Sequence, residues 1–501
     1  MLTIAEGGIR FEVEHRSPGP GGGPTLRICD AEQGGRERLR FDCFERGGHW
    51  HLDPGGSDTI TRFEEGADSI GWTVETLRRD LAGLLARAGA AAAPRLDAAA
   101  QARVLARLEA ALRNPPVDLD AVRPASRRPS RGEKWSLYPE DVLPLWVADM
   151  DFPIAEPIRR MLRFAVERSD LGYPIHPMPT DIGEIAAARM QERFGWQIEP
   201  AQVEVLSDVV QGLVVSLLQF AEPGEGAVVQ TPIYPPFLND VRASGRRLVE
   251  NPLVRDAGGY RVDLEGLRAA VDPGTRLLLL CNPHNPTGRV LRRDELEGLA
   301  EIALRRDLVV VSDEIHADLV YPGHRHVPFA SLAPEVAERT ITLTAASKAF
   351  NIAGLRCGLA IFGSDAQRRR FNALPRHARG GVGLLGFEAL RAAWRHAQPW
   401  LDAVLAYLEA NRDFTTRFVA AELPGVRLHP PEGTYLAWLD CSALGLEPSP
   451  HAFFLQRARV GLSDGPTFGA PGHGFVRINF ATSRAILGEA LERMAKSLRA
   501  R

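Results

Sequence analysis

Lysine is almost absent from this 501-residue chain: of 60 basic residues only Lys134, Lys348 and Lys496 are lysines, and the rest are arginine. Arginine keeps its proton in proteins, whereas lysine can lose it and act as a nucleophile or base. A chain that writes arginine wherever charge suffices therefore marks its few lysines as candidates for amine chemistry. Cysteine is scarce too, with five residues at 29, 43, 281, 357 and 441 and no CxxC spacing. That excludes a disulfide framework and a thiolate zinc site, and it fits reduced thiols in a cytoplasm. No apolar run reaches the ~18 residues that cross a bilayer, and the segment from Met1 to Glu6 lacks the basic-then-apolar pattern of an export signal. Excess charge of one sign is missing: 60 basic against 63 acidic residues give no electrostatic case for a polyanion partner. The expectation is a cytoplasmic protein with neither membrane nor nucleic acid as partner.

What is there, 45 % hydrophobic and 25 % charged residues, describes an ordinary globular chain. At roughly 100–200 residues per domain, it holds two or three folding units. Residues 9–13 and 39–44 alternate apolar with polar side chains between glycine-rich breaks, which predicts short strands. Leu77, Leu81, Leu84, Leu85 and Ala88, then Val104, Leu105, Leu108, Ala111 and Leu112, recur at helical spacing. Residues 1–115 are thus expected to form a small α+β module, and the proline- and arginine-rich stretch 116–131 a linker. In the module, His49 and His51 put two imidazoles on one strand face with Asp53 beyond. Spacing assigns no third ligand, and isolated histidines are usually satisfied structural residues, so no metal is expected.

Beyond residue 132, near-continuous apolar runs at 226–230, 277–281, 308–311 and 340–344 alternate with helical patterns. Such runs suit a mostly parallel sheet buried on both faces, with right-handed helical crossovers. In open sheets of this class the ligand lies beyond the C-terminal strand ends, and Tyr234, Asn285, Asp313 and Lys348 each follow one of these runs. A desolvated lysine has a lowered pKa and can join a carbonyl compound. A pyridoxal cofactor would need that lysine, an acid for its ring nitrogen, phosphate donors and a group on its ring face. Asp313 is a candidate acid, Arg356 a bidentate phosphate clamp, the Val209 and Val210 amides a helix-opening anion site, Tyr234 a stacking ring and Asn285 a donor to the phenolic oxygen.

Three segments in order, 282–288 (NPHNPTG), 312–316 (SDEIH) and 347–356 (SKAFNIAGLR), resemble the fold-type I aminotransferase superfamily. With 143–152 (LPLWVADMDF) and 230–237 (QTPIYPPF), the sequence is similar to the MalY/PatB group of cystathionine β-lyases from about residue 132 onward. The resemblance implies an arm at 132–170, a pyridoxal-phosphate-binding domain with a seven-stranded, mostly parallel sheet at 171–400, and a small α+β domain at 401–501. It implies Lys348 as the lysine joined to pyridoxal 5′-phosphate and the proton shuttle at Cα. Asp313 then holds the pyridine nitrogen, and Tyr234, Asn285, Arg356, Val209 and Val210 take the contacts proposed above. His316 stands where transaminases carry a tyrosine for the phenolic oxygen, which favours the lyases. The resemblance further implies that Tyr173 reaches the phosphate of a neighbouring subunit in a catalytic homodimer, that Arg477 clamps the substrate α-carboxylate, and that Trp146 and Asp149 wall the substrate pocket. Ala345 departs from the pattern, replacing a phosphate-binding serine, as does Asp208, expected to turn from the phosphate and cap the helix.

The implied activity is cleavage of cystathionine or another cysteine S-conjugate, a small amino-acid substrate, to a thiol, pyruvate and ammonia. An aminotransferase is the alternative, sharing each step through loss of the Cα proton. A transcription regulator with an aminotransferase-like domain is the third reading. The 16 arginines and 19 acidic residues within 1–125 oppose it, since DNA binding calls for a basic footprint.

Overall fold

The computed structural model describes residues 2–15, 23–31, 35–44, 47–64, 67–90, 94–174, 181–256 and 259–501. They form two compact units, one of residues 1–117 with 155–160 and 396–400, the other of 118–154, 161–395 and 401–501.

In the first unit, strands β1 (Leu2–Glu6), β2 (Ile9–His15), β3 (Pro24–Asp30), β4 (Glu37–Asp42), β5 (His49–Leu52) and β6 (Thr59–Arg62) make one antiparallel sheet in chain order. Alternation aims Phe11, Val13, Leu26, Ile28, Leu39 and Phe41 at one face. Helices α1 (Ser69–Arg87) and α2 (Ala98–Arg113) cover that face with Leu77, Leu81, Leu84, Val104, Leu105 and Leu108, the residues whose spacing predicts them. Asp97 caps α2 by accepting from the Ala100 amide.

The second unit is built on a seven-stranded sheet. Its order is Arg247–Glu250, Gly226–Val229, Thr275–Cys281, Val309–Asp313, Thr340–Thr344, Gly358–Phe362, Val203–Leu206. All neighbours are parallel except for Gly358–Phe362, which runs antiparallel to both of its own. The expected doubly covered sheet is explained by its cores: Leu277 and Leu279 pack with Leu213, Leu217 and Phe237, while Leu278 and Leu280 pack with Leu296 and Leu299 on the other side. Both faces are dry, so the run carries no polar alternation. A four-stranded antiparallel sheet at Arg427–Leu428, Leu436–Asp440, Phe475–Asn479 and Ser463–Asp464 follows.

The boundary between the two units falls between 117 and 118, inside the stretch expected as a linker. Residues 118–131 belong to the second unit, where Leu119 and Val122 are buried and Asp118 caps the short turn Leu119–Ala121. Ser483 donates to the Val122 carbonyl at 2.8 Å. Proline-rich composition here gives tight turns pinned to a surface rather than a free tether. Among the described residues no helix is long and apolar enough to cross a membrane.

Candidate active site

The parallel register aligns the C-terminal strand ends. Cys281 lies opposite Asp313, and Asp313 opposite Leu343, so the segments that follow emerge side by side at one edge. There a cavity of 1480 Å³ opens, lined by Lys348, Asp313, Tyr234, Asn285, His316, Arg356, Arg477, Trp146, Val209 and Val210. Ten of the residues singled out from sequence thus share one cleft.

Lys348 Nζ donates to the Ala148 carbonyl at 2.8 Å and stands 4.0 Å from Asp149 Oδ1. Burial pulls its pKa down and Asp149 partly opposes the shift. Asp313, 6 % exposed, accepts from the Ile315 amide at 3.0 Å. Burial outweighs that hydrogen bond and pushes its carboxyl up to about 7. His316 is buried with Nδ1 unpartnered, and burial, Lys348 and Arg477 together press it down to about 3. It is therefore a neutral imidazole at physiological pH.

Arg477 is buried. Its guanidinium donates to Asn285 Oδ1 (2.8 Å), the Trp146 carbonyl (2.8 Å) and Ser463 Oγ (3.0 Å), all neutral oxygens, and Nε has no partner. Among the described residues no carboxylate pairs with it. Burial draws it down to about 10, still charged at neutral pH. The guanidinium also lies 5.0 Å from the Phe468 ring centroid; a buried cation with no carboxylate partner of its own is a site for one from outside.

The helix Val209–Phe220 begins at the cavity wall. Asp208 caps it, with Oδ1 accepting from the Gln211 amide at 2.8 Å, while Oδ2 pairs with Arg356. The expected cap is present, but the side chain does not turn from the cleft: it lines it, and its other oxygen keeps Arg356 at the helix N-terminus. A Cβ at Gly358 would lie 3.2 Å from the Val209 nitrogen, so a side chain there would press this strand away from the helix-opening amides.

Two expected residues stand apart. Tyr173 is fully exposed, at 103 %, and does not line the cleft of its own chain. Asp149 reaches the site through its 4.0 Å separation from Lys348 rather than as a wall of the cleft. Sequence reasoning missed the side chains that hold segment 146–152 in place. Asn479 Nδ2 donates to the Val147 and Asp149 carbonyls at 2.7 Å each, and Tyr435 donates to the Ala148 carbonyl at 2.8 Å. Asn351 donates to the Phe152 carbonyl at 2.9 Å and accepts from the Met150 amide at 3.1 Å. Buried Lys134 donates to the Asp149 carbonyl at 2.9 Å and pairs with Asp151 at 3.0 Å. The rarity of lysine was the signal for Lys134.

A depressed lysine, a carboxyl raised toward neutrality, an unpaired imidazole nitrogen, and helix amides beside an arginine are the donor set that pyridoxal 5′-phosphate requires. Fold and cleft together define a pyridoxal-phosphate enzyme of fold type I. The chain belongs to the aminotransferase class I and II family, whose model matches residues 143–494. It is 39 % identical over 361 residues to cystathionine β-lyase PatB of Bacillus subtilis, covering 72 % of this chain and 93 % of that one. The crystal structure of OvoB superposes with a TM-score of 0.72 at 42 % identity, over 75 % of this chain and 98 % of that one. Cystalysin from Treponema denticola, which contains a pyridoxal 5′-phosphate cofactor, superposes with a TM-score of 0.73 at 31 % identity, over 77 % and 99 %. Residues 3–112 match a domain of unknown function, DUF7700.

Proposed function

We propose that the protein is a pyridoxal 5′-phosphate-dependent carbon–sulfur β-lyase. An L-amino acid carrying a thioether at Cβ, cystathionine or another cysteine S-conjugate, reacts with water to give a thiol, pyruvate and ammonia. The observation that carries this reading is the shared cleft that brings Lys348, its pKa lowered by burial, together with Asp313 and Arg477.

The cofactor, joined to Lys348, supplies an electron sink for the pair left at the substrate Cα. Asp313 would hold its ring nitrogen, Tyr234 would cover the ring, and Asn285 and His316 would serve its phenolic oxygen. The Val209 and Val210 amides and Arg356 would hold the phosphate. Arg477 receives the substrate α-carboxylate and fixes the orientation of the Cα–H bond. Lys348 Nζ would remove that proton: its lowered pKa leaves a larger share of free amine at neutral pH. The Ala148 carbonyl and Asp149 aim the amine, and Trp146 flanks the substrate. In this reading the enzyme is a homodimer in which Tyr173 reaches the neighbouring phosphate. The full exposure of Tyr173 and the exposed Phe164, Val166 and Leu171 support it. Five free, buried thiols suit a reducing cytoplasm.

The test is a product assay with cystathionine and S-alkylcysteines. Pyruvate and ammonia are expected without any added 2-oxo acid; turnover that needs such an acceptor would identify an aminotransferase instead. Arg477→Lys is expected to raise KM about 10–100-fold, since a point charge replaces a fork bound to the carboxylate. Initial-rate kinetics should show a smaller change in kcat.

A further inference from the structure

The first unit holds a second constellation. Asp42, the last residue of β4, pairs directly across the ladder with His49, the first of β5, and His51 follows on the same face. Phe41 and Trp50, their alternating neighbours, stack 5.7 Å apart on the face that packs against the helices. Asp42 Oδ2 lies 3.4 Å from His49 Nε2 and 3.5 Å from His51 Nε2. The potential ligand atoms of all three fall within 4.8 Å of one another. Ligands ~2.1 Å from an ion in a tetrahedral array stand about 3.4 Å apart, so both carboxylate–imidazole separations already match.

The remaining polar atoms are held elsewhere. His49 Nδ1 lies 2.9 Å from the Gly47 carbonyl and His51 Nδ1 2.6 Å from Asp58 Oδ1. Those oxygens only accept, so each Nδ1 carries hydrogen and a neutral ring keeps its Nε2 lone pair. Carbonyl and carboxylate contacts of this kind orient metal-binding imidazoles. Thr25 donates to Asp42 Oδ1 at 2.7 Å, and Oδ2 is the oxygen that faces both imidazoles. Arg40 is the competing cation: its Nε is 3.2 Å from Asp42 Oδ2, and its Nη2 is 2.9 and 3.3 Å from the two ring nitrogens of His51. Nearly equal distances place Nη2 beside the ring, off the axis of the Nε2 lone pair. Glu37 Oε1, 3.6 Å from Arg40, offers that guanidinium another counter-ion.

We propose that Asp42, His49 and His51 form a site for a divalent transition-metal ion, Zn²⁺ or Fe²⁺. Two imidazoles and one carboxylate suit these ions, and they leave coordination positions for water or a small anion, as in open rather than closed structural sites. His49, with 27 % of its side chain exposed, gives access from solvent.

The full-length protein is stripped with chelator and dialysed against buffered Zn²⁺, or against Fe²⁺ without oxygen, with Mg²⁺ as the hard-cation control. Retained metal is measured by elemental mass spectrometry. One Zn²⁺ or Fe²⁺ per chain is expected, absent from His49→Ala and His51→Ala. Asp58→Ala should weaken binding about 10–100-fold. Arg40→Gln should tighten it, a gain that a purely structural ion-pair network would not produce, and melting curves confirm that each variant folds. Wild-type protein that retains neither metal, histidine variants that retain as much as wild type, or an Arg40→Gln protein that binds no tighter would overturn the site.

Discussion

Lys348→Ala is expected to lose the visible absorbance of the bound cofactor and to cut β-elimination about 10⁴-fold. The size of the effect follows from the absence of a substitute. The amine of Lys134 is buried against Asp151 and the Asp149 carbonyl, and Lys496 lies exposed in the helix Arg484–Arg499. The many arginines cannot replace it, because a guanidinium does not give up its proton to become a nucleophile or base. Lys348→Arg should therefore fail as completely as the alanine variant, although it keeps the charge near Asp149. A spectrum recorded with added cofactor, and a single-turnover assay with cystathionine, check both variants. Lys348→Arg protein that retained the cofactor absorbance would refute the assignment of this amine.

The site was legible to the extent that it follows from strand ends. Asp313 and Lys348 each come after a run with no polar alternation, and such runs belong to strands covered on both faces. The ends of adjacent parallel strands then place their following residues together. What escaped depends on pairing between distant segments. His49 and His51 pointed along the chain to Asp53, yet Asp53 turns to Arg36 at 2.7 Å. It is the β4–β5 ladder that brings Asp42 across from His49. The 146–152 segment was likewise recognisable as a motif, while the donors that fix its carbonyls come from Asn351, Tyr435 and Asn479, far along the chain. Composition could not show how 118–131 is held, because prolines and arginines describe local stiffness and charge. Nothing in them shows that Leu119 and Val122 find a core.

Asp313→Asn should stabilise the cofactor-free protein and disable the enzyme. Burial raises the carboxyl from 3.8 to about 7. Below about pH 4 it is protonated in folded and unfolded chains alike and costs nothing. As pH rises from there to about 7, the unfolded chain gives up the proton while the folded chain keeps it, so the folded state loses ground. Above that range the cost is complete, at most about 4 kcal/mol. Asparagine carries no charge to bury, so the melting temperature of the cofactor-free variant should exceed that of the wild type at pH 8, and the gap should close toward pH 4. Activity moves the other way: without the carboxylate the ring nitrogen has no counter-charge, and kcat is expected to fall about 10²–10³-fold. Added cofactor offers the wild type a cationic partner for Asp313, so it should raise the wild-type melting temperature more than the variant's. Thermal melts at two pH values, with and without cofactor, read all of these signs in one experiment. A variant less stable than wild type at pH 8 in the cofactor-free form would show that Asp313 is not held uncomfortably in the absence of its partner.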